Sequence, residues 1–349
     1  MSQLIKVSVD AMGGDHGLKT TVPAAVKALK KHKMLHITLV GDKPTIEQTL
    51  VTFSGKYDKA RLDTVHATQV VEMCDLPSLA LRNKKDSSMR VAINLVKDGV
   101  VSACVSAGNT GALMATSKFV LKTLPEIDRP AIVSAMPAMD PDTGEMRSVL
   151  MLDLGANVGC SSEQLFQFGV MGSVLATCLT GNPRPKVALL NIGEEEMKGL
   201  DSIKQASKMF HACDDINYHG YVEGSDINKG TVDVIVCDGF VGNISLKSCE
   251  GIASFIGRVM KASFKEGIFS RLAMLFAAPV LLKVKNKLDV RRYNGASLLG
   301  LRGIVIKSHG GVDAEAFITA IEVAMHEVEK DIPNKIQLQV EKLMQHPEV

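Results

Sequence analysis

Between Val232 and Lys247 the chain reads VDVIVCDGFVGNISLK, and this stretch limits the possible folds more than any other. Val234, Ile235, Val236 and Cys237 form a short, unbroken apolar run, the mark of a strand buried on both faces. Asp238-Gly239 then marks a turn. Gly242-Asn243 opens a segment in which Ile244, Gly251, Ile252, Phe255 and the stem of Lys247 return at helical spacing. Strand, glycine-rich turn and helix start together leave free backbone N–H groups at a helix N-terminus, beyond the carboxyl end of a strand. Open α/β sheets bind phosphates and other anions at that place.

The same succession returns three times. Ala103-Cys104-Val105 leads into Ser106-Ala107-Gly108-Asn109-Thr110-Gly111 and an apolar, helix-like run from Ala112 to Leu124. Val149 to Leu152 leads into Asp153-Leu154-Gly155-Ala156-Asn157, and Val187 to Leu190 into Asn191-Ile192-Gly193-Glu194. Any one of these turns is explained by the positive-φ positions that glycine and asparagine supply. Asparagine at each of them also adds side-chain donors and acceptors, and strands of one sheet would gather the turns in space. One polar site is therefore expected, with Ser106, Gly108, Asn109, Thr110, Gly111, Asn157, Asn191, Gly239 and Gly242 as candidate phosphate- or substrate-binding residues. A first strand, Leu4 to Val9, delivers Asp10, Gly13 and Gly14 to the same list. Asp10, Asp15 and His16 lack a second carboxylate–histidine cluster to complete a ligand set, so no metal is expected.

Further strands are predicted at Leu35–Val40, Arg61–Thr68 and Ile216–Val222. Helices are predicted from Pro23 to Lys31, Ser88 to Lys97, Gln164 to Thr180, Leu200 to Cys213 and Ala314 to Lys330, and Asp140-Pro141-Asp142-Thr143-Gly144 reads as a hairpin turn. Strands alternating with helices imply an α/β sandwich, and the hairpin makes its sheet mixed. With no visible linker in 349 residues, residues 1–349 are read as one globular unit with a protruding segment at about 258–292. A formal net charge of +2, no tryptophan and 4% aromatics give no reason to expect nucleic acid. Seven cysteines include no C-x-x-C pair, and several lie in apolar runs and read as buried thiols of a reducing compartment; no signal peptide is visible, so a cytoplasmic location is expected.

Glu194-Glu195-Glu196-Met197-Lys198-Gly199 is the most polar patch after any strand end. Glu194 and Lys198 stand four apart, as in an ordinary ion pair on an exposed helix. A lysine at the carboxyl edge of a sheet is equally a compact cation suited to phosphate. The residues alone leave both readings open.

DAMGGDHG (Asp10 to Gly17), SAGNTGALM (Ser106 to Met114), LDLGANV (Leu152 to Val158), LLNIGEEEMKG (Leu189 to Gly199), CDGFVGNISLK and NGASLLGLRG (Asn294 to Gly303) together resemble the phosphate acyltransferase family. The likeness runs from Asp10 to about His309 and thins between about Ala262 and Asp289. Asn294 and Ser297 depart from the glycine and proline of many relatives. The resemblance implies a three-layer α/β sandwich with a large mixed sheet, isocitrate/isopropylmalate dehydrogenase-like. It implies formation of acyl phosphate from acyl-[acyl carrier protein] and inorganic phosphate for phospholipid synthesis, with Lys198 and Asn243 at the positions proposed as catalytic. It implies a homodimer, and a membrane glycerol-phosphate acyltransferase as the downstream partner. Phosphate is itself the nucleophile in such a reaction, so no cofactor is expected and no covalent intermediate is required.

From Arg258 to Arg292, lysine and arginine far outnumber Glu266 and Asp289, and Leu272–Leu282 between them is uniformly apolar but too short to span a bilayer. An anionic membrane surface, met through Leu272, Leu275, Phe276 and Leu281, is the favoured expectation, with a peripheral location at the inner face; a dimer contact is the alternative. His309, before the last helix, reads as a turn residue or, less directly, a base. Three rivals remain: a phosphate acetyltransferase-like enzyme using acyl-CoA, an NAD-dependent hydroxy-acid dehydrogenase, and a non-enzymatic lipid-surface binding protein. The dehydrogenase would need a carboxylate metal set and a cofactor motif, and neither pattern is found.

Overall fold

The computed structural model describes residues 4–264, 267–287 and 290–344. Within them the strands are β1 (Ile5–Asp10), β2 (Leu35–Gly41), β3 (Leu62–His66), β4 (Ala103–Ser106), β5 (Ala131–Met139), β6 (Met146–Leu152), β7 (Lys186–Leu190), β8 (Asn217–Val222), β9 (Val234–Val236), β10 (Ala296–Leu299) and β11 (Ile304–Lys307). All join in one 11-stranded sheet, in the order β3-β2-β1-β4-β11-β10-β5-β6-β9-β7-β8.

The sheet is mixed in a particular way. β3, β2, β1, β4 and β11 run parallel to one another, as do β6, β9, β7 and β8, but the antiparallel steps β11–β10, β10–β5 and β5–β6 reverse the second group relative to the first. The register then decides where the carboxyl ends fall. Ser106 of β4 pairs with Lys307 of β11, and Lys307 with Ala296 of β10. One row away, Ser297 pairs with Val133 of β5, Val133 with Leu152 of β6 and Leu152 with Val236 of β9. Two oppositely directed sets of strands thus end at nearly the same level, facing each other across β10 and β5.

Alternation along the strands builds a core on each side. Cys104, Ile235, Met151 and Val305 enter one apolar cluster with Met89 and Ile93 of the helix Ser88–Lys97 and Leu113 of the helix Thr110–Leu121. On the other face, Val7, Val9 and Val105 pack under the helices Leu18–Lys31 and Ala314–Lys330. Val234 and Val236 pack there under Ser162–Thr180, with Phe168 and Phe210 among the buried aromatics. This is the expected three-layer sandwich with a large mixed sheet.

Two local expectations are corrected. The helix after β9 begins at Gly239, not at Gly242, because Asp238 caps it by accepting the Phe240 N–H at 2.8 Å. The Glu194–Gly199 stretch is not helical, and Lys198 pairs with Glu195, three residues back, at 2.8 Å.

The helix Gly239–Ser263 runs out past the sheet, and every residue from Gly251 to Ser263 is exposed, Ile252, Phe255 and Ile256 included. The helix Ile268–Lys287 follows, with Phe276 86% exposed and Leu281 partly covered. Leu272 and Leu275 lie on this helix, but their side chains fall outside the described residues. No helix among the described residues is long and apolar enough to cross a membrane.

Candidate active site

The turns after β1, β4 and β11 interlock. Asp10, buried at the end of β1, accepts the Ser106 hydroxyl at 2.7 Å, and Ser106 Oγ in turn accepts the Gly108 N–H at 3.1 Å. A side chain on Gly13 would meet Asp10 Oδ2 at 2.5 Å and the Gly108 nitrogen at 2.9 Å, so only glycine lets the first turn lie on the second. The Asp15 N–H reaches the carbonyl of Gly310 at 2.9 Å, tying in the third. Burial pushes the Asp10 carboxyl up, against the lowering effect of hydrogen bonds from Ser88 and Ser106.

Asn109 is spent on structure. Its side chain accepts the Ala112 N–H at 3.0 Å as the cap of Thr110–Leu121 and donates to the carbonyls of Met73 and Asp75 at 2.9 and 3.0 Å. Thr110, the first residue of that helix, faces the cavity described below, while Gly111 lies against Pro77.

Asn157 is likewise occupied. It donates to the Pro130 carbonyl at 2.8 Å and to Asp153 at 3.0 Å, and Asp153 also accepts the Ile132, Ala156 and Asn157 N–H groups. Gly239 lies against Asp153 and the Asn157 backbone, and Gly242 against the Asp153 carbonyl and Cys237 Sγ. The missing side chains of both glycines are accounted for by this packing. Asn191 closes the loop beyond β7 by donating to the carbonyls of Gly193 and Lys198 at 3.1 Å. Lys198 itself is half-exposed, and its hydrogen bond with Glu195 holds the lysine up and the glutamate down from their ordinary pKa values. β7 and β9 are neighbours, so Lys198 and Asn243 lie beyond the same edge.

Asn243 differs from the other asparagines. It stands in the first turns of the helix after β9, exposed and beside Gly155, and its carboxamide has no hydrogen-bond partner among the described residues. It borders a cavity of about 490 Å³ lying over β5 and β10. Ile132, Met136, Leu154 and Leu246 give the cavity apolar walls, while Asn243, Lys247, Lys307 and His309 bring polar groups to it. Lys198, Asn157 and Asn191 do not line it.

Lys307 was not anticipated. It ends β11, is 8% exposed, and donates to the carbonyls of Ala107 at 3.3 Å and Ser308. A lysine closing the apolar run Ile304-Val305-Ile306 directly before Ser308-His309-Gly310-Gly311 was the signal available in the chain. His309 Nδ1 accepts the Gly311 N–H at 3.2 Å, so a neutral His309 carries its proton on Nε2. No cluster of histidine, cysteine and carboxylate fit for a metal occurs among the described residues.

Comparison with known proteins agrees with this architecture. The family described as fatty acid synthesis protein matches residues 5–335. A phosphate acyltransferase of Francisella philomiragia is 56% identical over 346 residues, covering 97% of this chain and 99% of that protein; one of Francisella tularensis is 55% identical over the same span. A phosphotransacetylase from Streptococcus pyogenes shares the fold with a TM-score of 0.63 at 16% identity, covering 93% of this chain and 94% of that one. A branched-chain phosphotransacylase from Enterococcus faecalis gives 0.56 at 15% identity, covering 93% and 99%. The chain belongs to the phosphate acyltransferase family.

Proposed function

We propose that this chain transfers an acyl group from acyl-[acyl carrier protein] to inorganic phosphate, releasing acyl phosphate for phosphatidic acid and phospholipid synthesis. The observation that carries this reading is the two-sided cavity, apolar along Ile132, Met136, Leu154 and Leu246 and polar at Asn243, Lys247, Lys307 and His309. An acyl chain needs the first surface and a phosphate the second.

A phosphate oxygen attacks the thioester carbonyl carbon, the oxyanion formed collapses, the C–S bond breaks, and the thiolate leaves with the proton given up by phosphate. Positioning and charge stabilisation supply the catalysis. Asn243, with its free carboxamide, donates to the oxyanion or to phosphate, and Lys198, one strand away on the same edge, neutralises phosphate when substrate draws it from Glu195. At the cavity a thiol nucleophile is disfavoured, since burial pushes up the thiol of Cys249, which lines it. Burial pushes the Cys160 thiol up to about 12 and raises that of Cys237 as well.

Acyl-CoA as donor is the second reading, favoured by the shared fold with the phosphotransacetylase. The same acyl chain presented on carrier protein and on CoA, with phosphate-dependent thiol release followed for each, tests the choice. Faster release from CoA would overturn the carrier assignment. The exposed apolar faces of the helices Gly239–Ser263 and Ile268–Lys287 we assign to an anionic membrane surface, with a second copy of the chain as the competing occupant.

A further inference from the structure

Lys307 ends β11 as a buried cation with no carboxylate at ion-pair distance among the described residues. Its ammonium has three N–H donors, and two are taken by the carbonyls of Ala107 and Ser308. It forms no ion pair among the described residues, although other lysines, Lys198 and Lys247 included, hold a glutamate at 2.7–2.8 Å. A buried charge left unpaired is strongly unfavourable, and such a group in a cleft marks a candidate functional position.

Lys307 also lines the cavity. Asn243 borders the same space with a carboxamide that no group among the described residues engages, and Thr110 opens the helix Thr110–Leu121 there. A buried ammonium, an unpartnered amide and a helix N-terminus converging on one cavity form a site for a tetrahedral oxyanion. Burial pushes the Lys307 ammonium down to about 8. The charge of Lys247 adds to that push, and Asp15 and Asp10 oppose it.

We propose that Lys307 binds the attacking inorganic phosphate in this cavity and is a catalytic residue of the chain. Its part in turnover rests on the acyl-transfer reading above; its part in phosphate binding does not. Lys307 stands in the cavity lining with Lys247, whereas Lys198, half-exposed and held by Glu195, lies outside it.

The test uses the full chain as wild type, Lys307→Met and Lys307→Gln. Methionine removes the charge and the donors; glutamine removes the charge and keeps donors for the Ala107 and Ser308 carbonyls. Melting is followed with increasing inorganic phosphate against chloride of matched ionic strength, and phosphate KM and kcat are measured separately. Wild type is expected to gain melting temperature with phosphate and both variants to lose that gain, with kcat falling about a hundredfold. Without phosphate, Lys307→Met should melt no lower than wild type, because the unpaired buried charge is gone. If Lys307→Met does not fold, Lys307→Gln decides. A phosphate-dependent rise of wild-type size in the folded variants, or none in wild type, overturns the proposal. A rise that depends on Lys307 in a wild type making no acyl phosphate would uphold the binding site and sink the acyl-transfer reading instead.

Discussion

Gly242 packs against the Asp153 carbonyl so closely that there is no room for a methyl group between them, and Cys237 Sγ would also lie only 2.8 Å from that methyl. This contact sets the first turn of the helix Gly239–Ser263 on the turn after β6, and with it the position of Asn243 over the cavity.

Gly242→Ala should therefore push the helix start off Asp153. Overpacking of this kind costs about 1–3 kcal/mol, read as a lower urea midpoint at unchanged slope. Turnover should fall further than the stability loss explains, since Asn243 moves with the turn. An alanine variant of wild-type stability and rate would show that the contact relaxes freely.

Asn243→Ala and Lys198→Ala should each remove most turnover and leave the fold intact, since Asn243 is exposed and Lys198 half-exposed. Loss of the Asn243 amide, one preorganised donor, is worth about 3 kcal/mol in the transition state, roughly a hundredfold in kcat at saturating phosphate. Near-normal rates in either variant would make that residue part of the loop architecture only.

Glu327 provides a pH test away from the site. It is buried on the helix Ala314–Lys330, accepts the Ser297 hydroxyl at 3.0 Å, and burial pushes its carboxyl up to about 7. The folded state thus holds a proton that the unfolded state releases near pH 4.5. The stability this contributes is complete below pH 4.5 and is lost as pH rises through about 7. Glu327→Gln keeps a neutral group at every pH, so it should raise the melting temperature at pH 8 and hardly alter it at pH 4. Equal effects at both pH values would contradict a buried, protonated glutamate.

Much of the scaffold was legible because local pattern decides it. The helix Ser88–Lys97 and the β5–β6 hairpin around Asp140–Gly144 follow from apolar spacing and turn residues. The reversal of β6, β9, β7 and β8 relative to β1, β4 and β11 was not legible, since strand direction leaves no mark on a short apolar run. The polar turns were expected to form one site; what local sequence does not show is that Asn109, Asn157 and Asn191 spend side-chain hydrogen bonds on bracing their own turns. The helix start at Gly239 is hidden in the sequence because glycine is a poor helix former, and tertiary packing on Asp153 outweighs that propensity. Lys307 carries only a faint signal in the sequence, because one polar residue at the end of an apolar strand is ordinary; the cavity beside it sets it apart.

Phe276→Glu tests the exposed helix pair. A membrane contact buries the apolar face in lipid, while each flanking lysine or arginine adds about 1 kcal/mol near an anionic surface. Wild type should float with anionic vesicles, less so at high salt, and the variant should not, while both keep the same sedimentation coefficient and rate on soluble substrate. A wild-type dimer that Phe276→Glu dissociates, with no vesicle binding in either protein, would assign the face to a second copy.

The central claim is that phosphate is the acceptor of an acyl group carried on a protein thioester. Long-chain acyl-carrier thioester, phosphate and the chain are mixed, and the product is trapped with hydroxylamine. Hydroxamate should form only when all three are present, in step with the free thiol released. Thioester loss without phosphate-dependent hydroxamate, or no loss at all with active carrier present, would contradict the account.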